Sequence, residues 1–294
     1  MPELPEVETI RIGLNRLLPG KTVQTISHNN EKSFPNAVAD VGAFLVGAKV
    51  LNVKRRAKVL LIELSSDYSL VIHLKMTGQL VFLGTERFGA GHPNDSLIGD
   101  LPDKSTRVEL TFTDGSKLFF NDQRKFGWMK LIPTAEVPNI DFMKKVGPEP
   151  LAADFTAAQF AERLLRRKNT NIKAALLDQT VIAGVGNIYA DESLWGAKIH
   201  PTTLVRDISK AKIQTLFTEL QYVLNLSIQK GGSSNRNYVN AEGKKGSYMD
   251  FARVFRREGQ TCPRCGTTIE KLRVAGRGTH VCPHCQKPLR KEAV

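Results

Sequence analysis

Cys262-Pro263-Arg264-Cys265 and, sixteen residues further on, Cys282-Pro283-His284-Cys285 decide how the end of this chain folds. Two Cys-x-x-Cys pairs at that separation supply four thiolates to one tetrahedral zinc, each pair at the tip of a tight turn. Four thiolates close the coordination shell, so the metal holds a fold and activates no water. His280 and His284 are alternative ligands that a full cysteine set leaves unneeded. Between the pairs, Leu272 to Val281 reads as two strands flanking a glycine-bracketed arginine, a hairpin with Arg277 at its tip. A guanidinium fork suits a phosphate, and an ordinary solvated arginine fits that position equally well.

The rest of the chain sets that finger in a basic context. Forty-two Lys and Arg against 29 Asp and Glu give a formal charge of +13, which calls for a polyanionic partner: nucleic acid or an acidic membrane surface. No apolar run reaches the roughly 20 residues of a spanning helix. The acidic start lacks the basic-then-apolar pattern of a secretory signal. A cytoplasmic protein is therefore expected, and its cysteines are expected to bind metal instead of forming disulfides. At 294 residues the chain has room for two or three domains.

Glu3 to Leu18 is predicted to be a helix, with Val7, Ile10, Leu14, Leu17 and Leu18 on one stripe and Pro19-Gly20 as its end. Between Ala48 and Ile132 the period changes to two. Leu70, Ile72 and Leu74 alternate with Val71, His73 and Lys75; Val108, Leu110 and Phe112 alternate with Glu109, Thr111 and Thr113 before an Asp114-Gly115 turn. Successive short strands predict an antiparallel sandwich or barrel. Gly84 to Lys104 is predicted to be a long loop. After Pro150 the chain turns helical: Thr156 with Gln159 forms a capping box, Thr170 caps Ile172 to Leu177, and Ser209 opens a long helix closed by Gly231-Gly232. The polar stretch to about Tyr248 is expected to be a functional loop.

Several groups carry chemistry. Ala183-Gly184-Val185-Gly186-Asn187 lets backbone N–H groups approach an anion at a helix start, and it fits neither a dinucleotide fingerprint nor a P-loop. Arg163, Arg166, Arg167 and Lys168 are expected to reinforce the same anion. His73 and Lys75 share a strand face, one strand after the basic run Lys54, Arg55, Arg56 and Lys58. Arg124-Lys125-Phe126 places an aromatic between bases, a combination suited to insertion beside a displaced base. Pro2, once Met1 is removed, offers a secondary amine next to the Glu3 carboxylate; a stiff helix start is the commoner use of such a proline.

Taken together, Met1-Pro2-Glu3-Leu4-Pro5-Glu6-Val7-Glu8-Thr9, Gly184-Val185-Gly186-Asn187-Ile188-Tyr189-Ala190, and Arg277-Gly278-Thr279 before Cys282-Pro283-His284-Cys285-Gln286 resemble the formamidopyrimidine-DNA glycosylase family, in the right order over nearly the whole chain. The resemblance implies an α+β multidomain fold: an N-terminal helix with an antiparallel β-sandwich (1–150), a helix–two-turn–helix domain (151–232), and a lesion loop with a zinc-finger hairpin (233–294). It implies a monomeric, nucleoid-associated, bifunctional glycosylase and lyase of base excision repair, acting on double-stranded DNA that carries an oxidised purine such as 8-oxoguanine or a formamidopyrimidine. Pro2 would form a Schiff base at C1′, Glu3 would act as general acid, Lys58 would assist β-elimination, and Arg277 would serve δ-elimination and phosphate binding. His73, Arg124, Lys168 and Asn187 match DNA-contacting positions, and Met76, Arg124 and Phe126 match the trio that fills the gap left by an extruded nucleotide. Cys262, Cys265, Cys282 and Cys285 would hold one structural zinc.

The chain departs from the family at Ser105, where histidine is frequent, at Lys75 in place of a common glycine, and at Phe255-Arg256 in place of Tyr-Gly. The Gly84–Lys104 stretch is also longer. The endonuclease VIII branch, which acts on oxidised pyrimidines, usually lacks the Leu4 to Thr9 run. A zinc-finger DNA-binding protein without lyase chemistry is the non-enzymatic alternative.

Overall fold

The computed structural model describes residues 2–233 and 247–288. Two compact units result, one of residues 1–144 with 228–247 and one of 145–227 with 248–294.

In the first unit, helix α1 (Leu4–Leu17) precedes nine strands: β1 (Val23–His28), β2 (Val50–Arg56), β3 (Val59–Leu64), β4 (Tyr68–His73), β5 (Gly78–Leu83), β6 (Arg87–Gly91), β7 (Thr106–Phe112), β8 (Lys117–Asp122) and β9 (Trp128–Pro133). They form a five-stranded sheet ordered β1-β7-β8-β5-β6 and a four-stranded sheet ordered β2-β3-β4-β9, with every pairing antiparallel. One core lies between the sheets, with Val53, Leu60, Ile62, Leu70 and Ile72 from one and Leu80, Phe82, Leu110, Leu118 and Phe120 from the other. Each such side chain taken from water contributes about 1.5–3 kcal/mol. Helix α1 packs on β2 and β6, one edge strand of each sheet, and buries Val7, Ile10 and Leu14 in the same core. Gly13 is required there, because a Cβ would lie 2.1 Å from the Phe88 ring.

Two sequence expectations change here, and one strand appears where none was expected. Gly84 to Lys104 is not one loop: Arg87–Gly91 pairs with β5, and Asp95–Leu97 is a 3-10 turn. Its glycines and polar residues hide a short edge strand, since an edge needs only one ladder of hydrogen bonds. Strand β1 is announced by no alternation because it too is an edge and is largely exposed. The alternation in β4 marks two buried faces. Val71 enters a second cluster with Val59 and Val137, covered by the 3-10 turn Thr134–Asn139 and the short helix Asp141–Lys145.

The second unit holds α2 (Ala157–Leu165), α3 (Ile172–Leu177), α4 (Asn187–Gly196), most of α5 (Lys210–Gln229), and the hairpin β10 (Glu270–Val274) and β11 (Arg277–Val281). Thr156 and Gln159 form the expected capping box of α2. Helix α3 is capped by Asn171, whose side chain accepts the Ala174 N–H at 2.8 Å, and not by Thr170. Phe160, Leu164, Leu176, Tyr189, Leu220 and Leu224 share one core. Among the described residues no helix is long and apolar enough to cross a membrane.

Candidate functional site

The start of α1 carries the first group of predicted residues. Pro2 and Glu3 are both buried, and Glu3 is the N-cap. Glu6 serves two backbones at once: Oε2 accepts the Glu3 N–H and Oε1 accepts the Ser233 N–H, each at 2.8 Å. Met1 and most of the expected lesion loop, residues 234–246, lie outside the described residues.

Lys58 sits in the β2–β3 connection after Ala57, whose φ is +52°, and is only 6 % exposed. A lysine this buried is uncommon. Its neighbours in the basic run are committed elsewhere, Lys54 to Glu63 at 2.7 Å and Arg55 to Glu8 at 2.7 Å. With Lys54 exposed and Lys58 buried, the basic run does not lie on one face.

His73 ends β4. Lys75 does not continue the strand; its backbone turns to φ +50° and donates its N–H to His73 Nδ1 at 3.0 Å. That bond leaves the ring proton of the neutral form on Nε2, so His73 can donate outward. Burial, then the charges of Lys75 and Lys58, push its pKa down from 6.5 to about 3. The unfolded chain gains a proton here below about pH 6.5, whereas the folded chain stays neutral down to about 3. Stability therefore falls as pH drops through that window, by up to about 1.4 kcal/mol per unit from this group. The thermal midpoint of the wild type is expected to fall more steeply between pH 6.5 and 4.5 than that of His73→Gln. Parallel slopes would contradict the assignment.

Arg124 and Phe126 project from a turn built on Asp122. One carboxylate oxygen accepts Thr77 Oγ1 and the Arg124 N–H (3.2 Å); the other accepts the N–H groups of Phe126 (2.8 Å) and Gly127 (2.6 Å). Lys125 takes φ +58°, and the Arg124 guanidinium lies 4.7 Å over the Phe126 ring, which is 54 % exposed. An exposed aromatic held by a fully buried carboxylate is a built projection. Arg107, also buried, holds the Asp122 carbonyl through Nε at 2.8 Å. Ser105 turns inward to Asp103 (2.7 Å). Sequence reading missed Thr77 and Asp122; the available signal was an aspartate shortly before a glycine, the composition of a side-chain-capped turn.

In the second unit, Asn187 opens α4 after Gly186, which offers no capping side chain. Gln179 braces the preceding turn, accepting the Gly184 N–H (3.0 Å) and donating to the Val185 carbonyl (2.8 Å). Asn187 Nδ2 donates to the Gly278 carbonyl at 2.9 Å, so the helix start and the finger hairpin are joined beside Arg277. Arg277 is exposed and begins β11 after a two-residue turn, Ala275 (φ +50°) and Gly276 (φ +71°). Arg163 and Arg167 depart from expectation. Arg163 holds the carbonyls of Thr180 and Val181, and Arg167 pairs with Asp178, so both brace the turn instead of facing an anion. Lys168 is exposed, and among the described residues no bond joins it to Asn187 or Arg277.

The four cysteine sulfurs lie within 4.8 Å of one another. Cys265–Cys282 (3.5 Å), Cys265–Cys285 (3.6 Å) and Cys262–Cys285 (4.0 Å) bracket the roughly 3.8 Å edge of a tetrahedron with Zn–S bonds of about 2.3 Å. The donor set fits one structural zinc. His280 is not a ligand: its Nδ1 lies 3.2 Å from Asp191.

Residues 1–129 match the formamidopyrimidine-DNA glycosylase N-terminal domain, residues 146–238 the H2TH domain of the same enzyme, and residues 259–288 a zinc finger found in FPG and IleRS. The chain is 41% identical over 291 residues to the formamidopyrimidine-DNA glycosylase of Lactobacillus acidophilus, covering 97% of this chain and 99% of that one. It is 39% identical over 295 residues to that of Pelotomaculum thermopropionicum, covering 98% and 99%. Among solved structures, a mutant of Lactococcus lactis FPG in complex with a Fapy-dG containing DNA is similar with a TM-score of 0.86 and 35% identity, covering 98% of this chain and 100% of that one. The Lactococcus lactis Fpg complex with an abasic site containing DNA gives a TM-score of 0.85 at 35% identity, covering 97% and 100%. On this similarity along its full length, the chain belongs to the formamidopyrimidine-DNA glycosylase family.

Proposed function

We propose that this protein is a bifunctional DNA glycosylase and lyase of base excision repair, working as a monomer on double-stranded DNA that carries an oxidised purine. The observation that carries the reading is the start of α1, where Pro2 is buried beside Glu3 and the Glu6 carboxylate ties Glu3 to Ser233. After removal of Met1, the neutral Pro2 amine attacks C1′ while the C1′–N bond breaks and the base leaves with a proton. The amine then loses its proton, the C1′–O4′ bond opens with O4′ protonated, and an iminium forms. Glu3 is the acid at the sugar. Lys58 assists proton movement in β-elimination, and Arg277 serves the second elimination at the phosphate. His73 donates from Nε2, and Asn187 and Lys168 contact the backbone. Met76, Arg124 and Phe126 fill the space of the extruded nucleotide. Extrusion costs a few kcal/mol, which such insertions offset. Cys262, Cys265, Cys282 and Cys285 hold the zinc that fixes the finger; the metal takes no chemical part.

The test incubates the protein with duplexes containing 8-oxoguanine, a formamidopyrimidine or an oxidised pyrimidine, followed by strand-end analysis and borohydride trapping. Incision of the purine lesions with a covalent adduct is expected; no adduct on any duplex would leave only a DNA-binding protein. The pyrimidine arm matters because one similar structure is a complex of Lactococcus lactis Fpg with an oxidised pyrimidine containing DNA.

Asp122 provides a second test. Asp122→Ala removes the acceptor for four donors, each bond to a carboxylate contributing about 1.5–3 kcal/mol. The KM for a lesion duplex is expected to rise about 10-fold or more, with a smaller change in the single-turnover rate on saturating DNA. An unchanged KM would remove the turn from the DNA-binding role.

A further inference from the structure

We propose that Trp195 is the outer-shell residue that holds the tetrathiolate site to α4 and slows release of its zinc. A zinc ion with four thiolates carries a net double negative charge, so its sulfurs need hydrogen-bond donors. Cys265 is exposed and takes them from the Thr267 hydroxyl and N–H, but Cys262 and Cys282 are buried. Cys282 Sγ accepts the Cys285 N–H at 3.4 Å. Cys262 Sγ accepts the N–H groups of Arg264 and Cys265 from its own turn and, from outside the finger, the indole Nε1–H of Trp195, also at 3.4 Å. Indole has no acceptor, so this geometry commits its single polar atom to the sulfur.

The ring is fixed in place. Arg264, inside the first Cys-x-x-Cys pair, stacks 3.8 Å from its centroid and donates to the carbonyls of Trp195 (3.0 Å) and Gly196 (3.3 Å). Arg253 lies 4.7 Å from the same centroid and is pinned by Glu219 at 3.2 Å. Two cations therefore flank the residue that faces an anionic cluster. Helix α4 also carries Asn187, which reaches Gly278, and Asp191, which accepts the His280 N–H at 2.9 Å. Its C-terminal turn reads the metal site while its first residue and its middle hold the hairpin that bears Arg277.

An indole packed only for its area would tolerate phenylalanine without consequence for the metal. The experiment loads full-length wild type and Trp195→Phe with one zinc each and follows transfer to a chromogenic chelator. Transfer about 10-fold faster from the variant is expected, the scale typical of outer-shell losses. Equal rates would overturn the proposal. The wild type loaded with 113Cd gives a measurement independent of the variant's folding: a scalar coupling between the Trp195 indole proton and the metal, passed through the Cys262 sulfur. Absence of that coupling would also overturn it.

Discussion

Replacing Lys173 with methionine is expected to destabilise the second unit by about 3–5 kcal/mol, because it strands a buried carboxylate. Lys173 and Asp191 have side chains 0 % exposed and meet at 2.6 Å. Lys173 Nζ also donates to Thr279 Oγ1 at 2.6 Å and reaches the Gly278 carbonyl at 3.4 Å. The other Asp191 oxygen accepts the His280 N–H at 2.9 Å. The pair thus ties α3 and α4 to β11, next to Arg277. Methionine matches the lysine stem in volume, so the loss isolates the charge. The check is denaturant unfolding of zinc-loaded protein, with Lys173→Met/Asp191→Leu beside it. Removing both charges is expected to recover part of the loss, and only part, since the His280 N–H then lacks its acceptor. A single variant as stable as wild type would mean that the pair is not buried in solution.

That pair also marks what could not be read beforehand. The zinc set, the hairpin bearing Arg277 and the capping box at Thr156 were legible because each is local: spacing, turn residues or a three-residue offset specifies it. Nothing in the sequence around Lys173 or Asp191 sets either apart from the other charged residues of the chain. Their partnership spans 18 positions of sequence and reaches a third residue 106 positions away. No pattern encodes such a closure. Arg163 and Arg167 show the converse: a cluster that looks like an anion site is committed to carbonyls and to Asp178.

The departures from the family gain a physical reading. Lys75 and Arg256, the positions at which the resemblance leads one to expect glycine, both have positive φ, +50° and +57°. Glycine takes that conformation freely, whereas a non-glycine residue there costs about 1–2 kcal/mol. In exchange the chain carries a cation at each place. Lys75 uses the turn to fix His73, and Arg256 lies 5.8 Å over Phe255.

Keeping Met1 in place is expected to lower borohydride trapping on abasic-site DNA by about a thousandfold or more, the scale on which removal of a covalent nucleophile acts. Pro2→Gln does this, because a bulky second residue resists methionine removal. Pro2→Gly, which still exposes an amine, is expected to trap more weakly than wild type but well above Pro2→Gln. The cap of α1 rests on Glu3 and Glu6, so duplex binding should change far less than trapping in both. The pH profile separates the amine from its surroundings. An α-amino group titrates near pH 8, the helix start disfavours its ammonium form, and the Glu3 carboxylate favours it. His73, held down to about 3 by burial and by Lys75 and Lys58, carries no charge change above pH 5. His73 therefore does not supply the rising acid limb of single-turnover trapping expected for the amine, and His73→Gln should lower the rate without moving that limb. A limb that vanished with His73→Gln, or a Pro2→Gln protein that trapped like wild type, would place the nucleophile elsewhere.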